Sequence, residues 1–262
     1  MKKYILPALI SSCLLLMVTP DAWCRKHSKE FYELKIYRLK NDEQVMSVDS
    51  FLKDAYLPAL HRYGISKVGV FKPIANDTAV VKSIYVLVPL PSADGFYKLG
   101  QALEKDAAYT TAGKDFMEAS FTRPPFVRLE SVVMEAFDNQ PKLVEPALNA
   151  SASEKVYELR SYESATDQLF KGKVHMFNTG DETGLFKRLG FNAIFYASVI
   201  SGSHMPNLMY MTSFESLEDR NNHWKVFSND PQWKTLSAKP EYQNTVSHAD
   251  ITLMHAASYS DL

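Results

Sequence analysis

The sequence predicts an α+β fold of two tandem ferredoxin-like (βαββαβ) units, their sheets packed face to face into one intramolecular barrel. Three observations predict it. Tyr32-Glu33-Leu34-Lys35 returns as Tyr157-Glu158-Leu159-Arg160, 125 residues later in a chain of 262, and each copy reaches a further tyrosine, Tyr37 and Tyr162. Three later anchors keep the order: Arg62-Tyr63-Gly64 with Arg188-Leu189-Gly190, Asp106-Ala107-Ala108-Tyr109 with Asp230-Pro231-Gln232-Trp233, and Val133-Met134-Glu135-Ala136 with Leu253-Met254-His255-Ala256. Self-similarity at about half the chain length marks a duplicated domain. Finally, the apolar period switches between strand and helix values in the order β-α-β-β-α-β in each copy.

In the first copy, residues 31–39 alternate apolar and polar, as a half-buried strand does. Residues 48–63 carry Phe51, Leu52, Ala55, Tyr56, Ala59 and Leu60 at helical spacing. Gly64 stops that helix, and Pro58 should kink or divide it. Residues 65–71 and 79–88 read as strands, 93–109 as a helix, and 126–137 as the closing strand. The second copy repeats the series: strand 156–162, helix 166–189 broken by Gly172, Gly180 and Gly184, strands 191–200 and 207–214, helix 217–228, strand 245–255. Asp230 is placed to cap a short extra helix that begins at Pro231. Residues 139–153 hold Pro141 and Pro146, lack an apolar period and read as a linker, so the two domains are 30–138 and 154–258.

A net charge of −1 with no basic stripe offers nothing to nucleic acid. Lys2-Lys3, an apolar stretch over 4–18, Pro20 and small residues near Ala22 have the layout of a signal peptide over 1–24. The expectation is export to the periplasm or beyond, with no stable membrane span after cleavage. Ile10-Ser11-Ser12-Cys13 resembles a lipoprotein cleavage box but sits too early, ahead of a further apolar run. Cys13 and Cys24 both fall in the leader, so the mature chain is expected to lack disulfide and thiol chemistry.

An antiparallel sheet covered by helices on one face leaves the other face needing a partner. Sorting alternate residues on that premise puts Leu34, Ile36 and Leu159 under the helices, with Ala249, Ile251 and Leu253. It sends Glu33, Lys35, Tyr37, Glu158, Arg160 and Tyr162 to the centre, with His248, Asp250, Thr252, Arg128 and Glu130. Two readings of that centre compete. One is a structural lattice of ion pairs. The other is a pocket for a small organic ligand, bound by Glu158, Arg160, Tyr162, His248 and Asp250 and walled by Tyr196, Met209, Tyr210 and Met211. There Arg160 would hold an anionic group, Tyr162 would hydrogen-bond, and His248 with Asp250 would be the proton-transfer pair.

The histidines show no HxxxH or HxH spacing, so no metal is expected; phosphate loops, a GxSxG elbow and a cysteine nucleophile are absent too. No cofactor is expected, the alternative being haem on His223 beside Trp224. Two further functions remain open: a cofactor-independent or haem-assisted monooxygenase or isomerase, and a protein-interaction module without a ligand. A packed centre with Glu158 and Arg160 mutually paired would favour the module.

Residues 154–258 resemble the NIPSNAP family. The residues that carry the resemblance are the strand Val156-Tyr157-Glu158-Leu159-Arg160-Ser161-Tyr162 and the run Phe214-Glu215-Ser216-Leu217-Glu218-Asp219-Arg220. Trp224, Phe227, Asp230-Pro231 and Trp233-Lys234 complete it. The first copy is degenerate: Tyr109 stands for Trp233, and Ser92-Ala93-Asp94-Gly95-Phe96 for the helix start. The resemblance implies the dimeric α/β-barrel superfamily, which includes small monooxygenases, isomerases, dehydratases and haem-handling enzymes. A shared fold does not transfer a function. The family has no motif assigned to catalysis, so it supplies no catalytic residue. Its better-known members act in mitochondria and in vesicle-related protein interactions. The implied assembly is a monomer with an internal pseudo-dimer, or a homodimer.

Overall fold

The computed structural model describes residues 29–262, so the expected leader, with Cys13 and Cys24, lies outside the described residues. The first half runs β1 (Phe31–Leu39), α1 (Asp42–Phe51), a π-helical stretch (Leu52–Tyr56), α2 (Leu57–Tyr63), β2 (Gly69–Pro73) and β3 (Lys82–Leu90). It continues through α3 (Gly95–Lys105), α4 (Ala107–Ala112) and α5 (Lys114–Met117) to β4 (Arg128–Ala136). The second half runs β5 (Val156–Glu163), α6 (Asp167–Asn178), α7 (Glu182–Arg188), β6 (Asn192–Ser201) and β7 (Asn207–Phe214). It ends with α8 (Leu217–Asn229), α9 (Pro231–Ser237) and β8 (His248–Ala256). Among the described residues, no helix is long and apolar enough to cross a membrane.

Local chemistry fixes the helix ends. Asn41 caps α1 by accepting from the Gln44 N–H, and Ser216 caps α8 by accepting from the Asp219 N–H. Asp230 accepts from the N–H groups of Gln232 and Trp233 while Pro231 opens α9. The division expected at Pro58 takes the form of the π-helical stretch just before it, since the proline has no N–H to give to the ladder. Gly64, at φ 96°, ends α2 in the left-handed conformation that only glycine adopts without strain.

The strands close into one antiparallel barrel in the order β1-β3-β2-β8-β5-β7-β6-β4. Each half contributes four neighbouring strands, and the halves join through β2 with β8 and β4 with β6. Closure removes every sheet edge. The centre is filled by Leu34, Ile36, Phe71, Leu87, Val132, Met134, Leu159, Met209, Met211 and Met254, all buried. A barrel of about eight strands is just wide enough for its own side chains. Two further cores lie outside it, between the sheet and the helices of each half.

The face assignment drawn from alternation is therefore inverted on β1 and β5, whereas on β4 and β8 it holds. Leu34, Ile36 and Leu159 point into the barrel, and Glu158, Arg160 and Tyr162 point out towards the helices with Tyr196 and Tyr210. A filled eight-stranded barrel has no room for paired charges, whereas the helix layer brings partners for them. On β8 the register pairs Asp250 with Ser161 and Thr252 with Leu159, so these side chains share the barrel face. Ala249, Ile251 and Leu253 take the outer face, where Ile251 is 47% exposed instead of lying in the core.

The segment between the halves is strapped down. The Leu143 N–H donates to the Glu30 carboxylate, Val144 N–H donates to the Ile194 carbonyl, and the Leu143 side chain joins the barrel core. After β8 the chain crosses back to the first half, where Asp261 accepts from the Val68 N–H. Leu159→Ala should cost about 2–5 kcal/mol in denaturant unfolding, the range for a buried leucine whose neighbours cannot collapse. A leucine merely half-covered at a sheet face would lose far less.

Candidate functional site

Glu158, Arg160 and Tyr162 alternate along the outer face of β5, and α8 lays Arg220 and Trp224, one turn apart, over them. Arg220 grips the fully buried Glu158 with two bonds, Nε to Oε2 at 2.7 Å and Nη2 to Oε1 at 2.9 Å. Trp224 Nε1 donates to Oε2 at 2.8 Å, and Arg160 Nε donates to Oε1 at 2.5 Å. Arg160 also lies over the Trp224 ring, 3.6 Å from its centroid, and donates to the Tyr162 hydroxyl at 2.8 Å. That hydroxyl meets Tyr210 OH at 2.9 Å.

Burial opposes the charge on Glu158, but the Arg220 hydrogen bonds, the Arg160 charge and the Trp224 donor outweigh it and hold the carboxyl below its usual range. Behind this cluster, Lys173 and Glu182 form a second buried pair at 2.9 Å. There burial dominates and pushes the Glu182 carboxyl up, with Lys173 opposing it. Each oxygen of Glu158 already serves two donors, so this face is a satisfied ionic core.

The first half carries the same strand but a different cover. Glu33 and Lys35 stand where Glu158 and Arg160 do, and Glu33 Oε1 takes Lys35 Nζ at 2.6 Å and Ser131 Oγ at 2.7 Å. At the offset that pairs Asp106 with Asp230, Arg220 corresponds to Phe96 and Trp224 to Gly100. No indole fills that position, and a cleft of about 620 Å³ lies between sheet and helices. Tyr37, Phe51, Tyr56, Leu99, Phe116 and Phe126 wall it, and Glu33 and Lys35 form its polar floor. Burial raises the phenols of Tyr37, Tyr56 and Tyr109, so they serve as donors and not as bases.

The five residues expected to line one cleft are thus divided. Glu158, Arg160 and Tyr162 come together on the helix side, while His248 and Asp250 lie on the other face of the sheet, at one mouth of the barrel. The expected walls divide as well, Met209 and Met211 inside the barrel and Tyr196 and Tyr210 outside. His223, the haem alternative, has Nδ1 engaged by the Asp219 carbonyl at 2.9 Å and its ring packed on Phe191 and Phe214. Sequence sorting missed the Gly100 cleft, although the repeat held the signal: glycine at the position that the second copy gives to tryptophan.

Glu158→Gln should destabilise the protein by on the order of 3 kcal/mol near neutral pH, because two largely covered guanidinium groups lose their counter-charge. The carboxyl is depressed in the folded state, so its contribution is present above the unfolded value of about 4.3 and lost as pH falls through the lower folded value. The gap between wild type and variant, followed by thermal unfolding across pH, should hold above about pH 5 and narrow below about pH 4.

Solved structures share this architecture at low identity. A candidate monooxygenase from Fusobacterium nucleatum aligns with a TM-score of 0.57 at 6% identity, over 88% of this chain and 93% of its own. One from Lactobacillus acidophilus aligns at 0.55 and 10%, over 87% and 94%. An anthrone oxidase-like protein aligns at 0.54 and 10%, over 88% and 93%. These likenesses establish the dimeric α/β-barrel type of fold and nothing of activity. No curated protein sequence matches the chain. The NIPSNAP family model matches residues 157–261, within the second half of the chain.

Proposed function

We propose that the protein binds a small, mainly apolar organic molecule with an aromatic ring in the cleft of its first half. On the strength of the leader-like residues 1–24, it does so after export. The observation that carries the reading is the cleft itself. Its volume of about 620 Å³ suits a small-molecule site, and aromatic walls with a few convergent polar groups are the usual composition of one. Aromatic side chains stack on flat ligands, and the buried phenols stay protonated and can donate. Lys35 and Glu33, already paired, would orient a polar end of the ligand without any gain of net charge.

A second reading has its own support. The barrel centre is packed shut and Glu158 is paired with Arg160, the arrangement that favours an interaction module without a ligand. Gly100→Trp separates the two readings. A Cβ at Gly100, which lines the cleft, meets nothing within 4 Å among the described residues, so there is room for an indole there. Native mass spectrometry of freshly purified wild type should show a retained small molecule, and the variant should lose it at least about tenfold while unfolding no earlier. A wild type that carries nothing and binds no aromatic probe would leave the interaction module standing.

A further inference from the structure

The polar mouth of the barrel holds a cluster that neither the ionic core nor the cleft uses. Glu163 ends β5 and lies directly across from His248, the first residue of β8. Asp250 sits two residues further along the same strand, so all three side chains rise from one face. Their ligand atoms, one imidazole nitrogen and two carboxylate oxygens, lie within 4.8 Å of one another. His248 Nε2 is 3.2 Å from Asp250 Oδ1.

A second histidine joins them from the β6–β7 connection. His204 Nδ1 stands 2.8 Å from Glu163 Oε1. The contact is misaligned for a hydrogen bond, and Oε1, sealed from water, has no hydrogen-bond partner among the described residues. Such an oxygen costs free energy unless a proton or a cation meets it. His204 is held at φ 64°, a left-handed conformation uncommon outside glycine. Below the cluster, Ser161 and the fully buried Asn207 bond to each other and form a rigid polar base.

We propose that this mouth is a divalent metal site, with Glu163, His248 and Asp250 as ligands and His204 swinging in as a fourth. Two imidazoles and two carboxylates are a borderline N/O donor set. It suits first-row transition cations such as Zn²⁺, Co²⁺ or Mn²⁺ better than Ca²⁺, which prefers an all-oxygen shell. Two carboxylates neutralise the ion. His248 and Asp250 are exposed on their outer side, with side-chain exposures of 59% and 60%, so the ion would be exchangeable and open to an external ligand. It would also clasp the ends of β5 and β8 to the β6–β7 connection.

Histidine spacing along the chain carries no trace of this cluster. The cluster is instead built by strand register, which brings residue 163 beside residue 248.

Co²⁺ titration of the full chain tests the site, because Co²⁺ bound by N/O ligands shows d–d bands without the thiolate charge transfer that Cys13 or Cys24 would give. Zn²⁺ competition supplies the affinity. One equivalent should bind, and Glu163→Gln and His248→Ala should each weaken binding at least tenfold with unchanged thermal unfolding of the metal-free protein. His175→Ala, remote and bonded to Tyr242, should bind as wild type does. Absence of saturable binding, a thiolate spectrum, or equal binding by Glu163→Gln and His248→Ala would overturn the proposal.

Discussion

Closure of the barrel is the constraint from which the rest follows. Once β2 pairs with β8 and β4 with β6, every strand has one face turned inward on a space that its own apolar side chains fill. Buried charge cannot go there without partners. It goes outward, into the layer between sheet and helices, where helices from the same half can supply donors. The chemistry of this protein is therefore distributed among the outer layers and the barrel mouth, and none of it occupies the axis.

The outer layers of the two halves differ. In the second half, Arg220 and Trp224 descend from α8 and complete a network around Glu158 that extends through Arg160 and Tyr162 to Tyr210. Breaking such a network costs more than building it gains, because each removal strands a buried charge. In the first half the same strand positions carry Glu33 and Lys35, but the covering helix offers Phe96 and Gly100. The layer there holds a void lined by aromatic rings over a polar floor, the usual composition of a small-molecule site. The half that the NIPSNAP family model matches is the closed one, and the half outside that match is the open one.

Much of the fold was legible in the sequence. The succession of strands and helices along each half was readable, Asp230-Pro231 marked α9, and Gly180 lies in the break between α6 and α7. The faces were not legible, for a physical reason. In a closed barrel sheathed by helices both faces of a strand are buried, so alternation loses the contrast that normally tells inside from outside. The continuous apolar run of β3, Ile84 to Leu90, was the available warning: such runs mark strands covered on both sides. With the faces inverted, Glu158, Arg160 and Tyr162 were rightly grouped with each other and wrongly joined to His248 and Asp250. The cluster at the barrel mouth depends on register between strands far apart in the chain, which one sequence does not reveal.

The central claim is that ligand binding belongs to the cleft of the first half and not to the barrel axis. Methionine methyl groups report on both places. Met117 lines the cleft, whereas Met134, Met209, Met211 and Met254 fill the axis. A spectrum of ¹³C-methyl-methionine protein titrated with 2-naphthol should shift the Met117 resonance and leave those four unmoved. Shifts at the four axial methionines with Met117 unchanged would contradict the account.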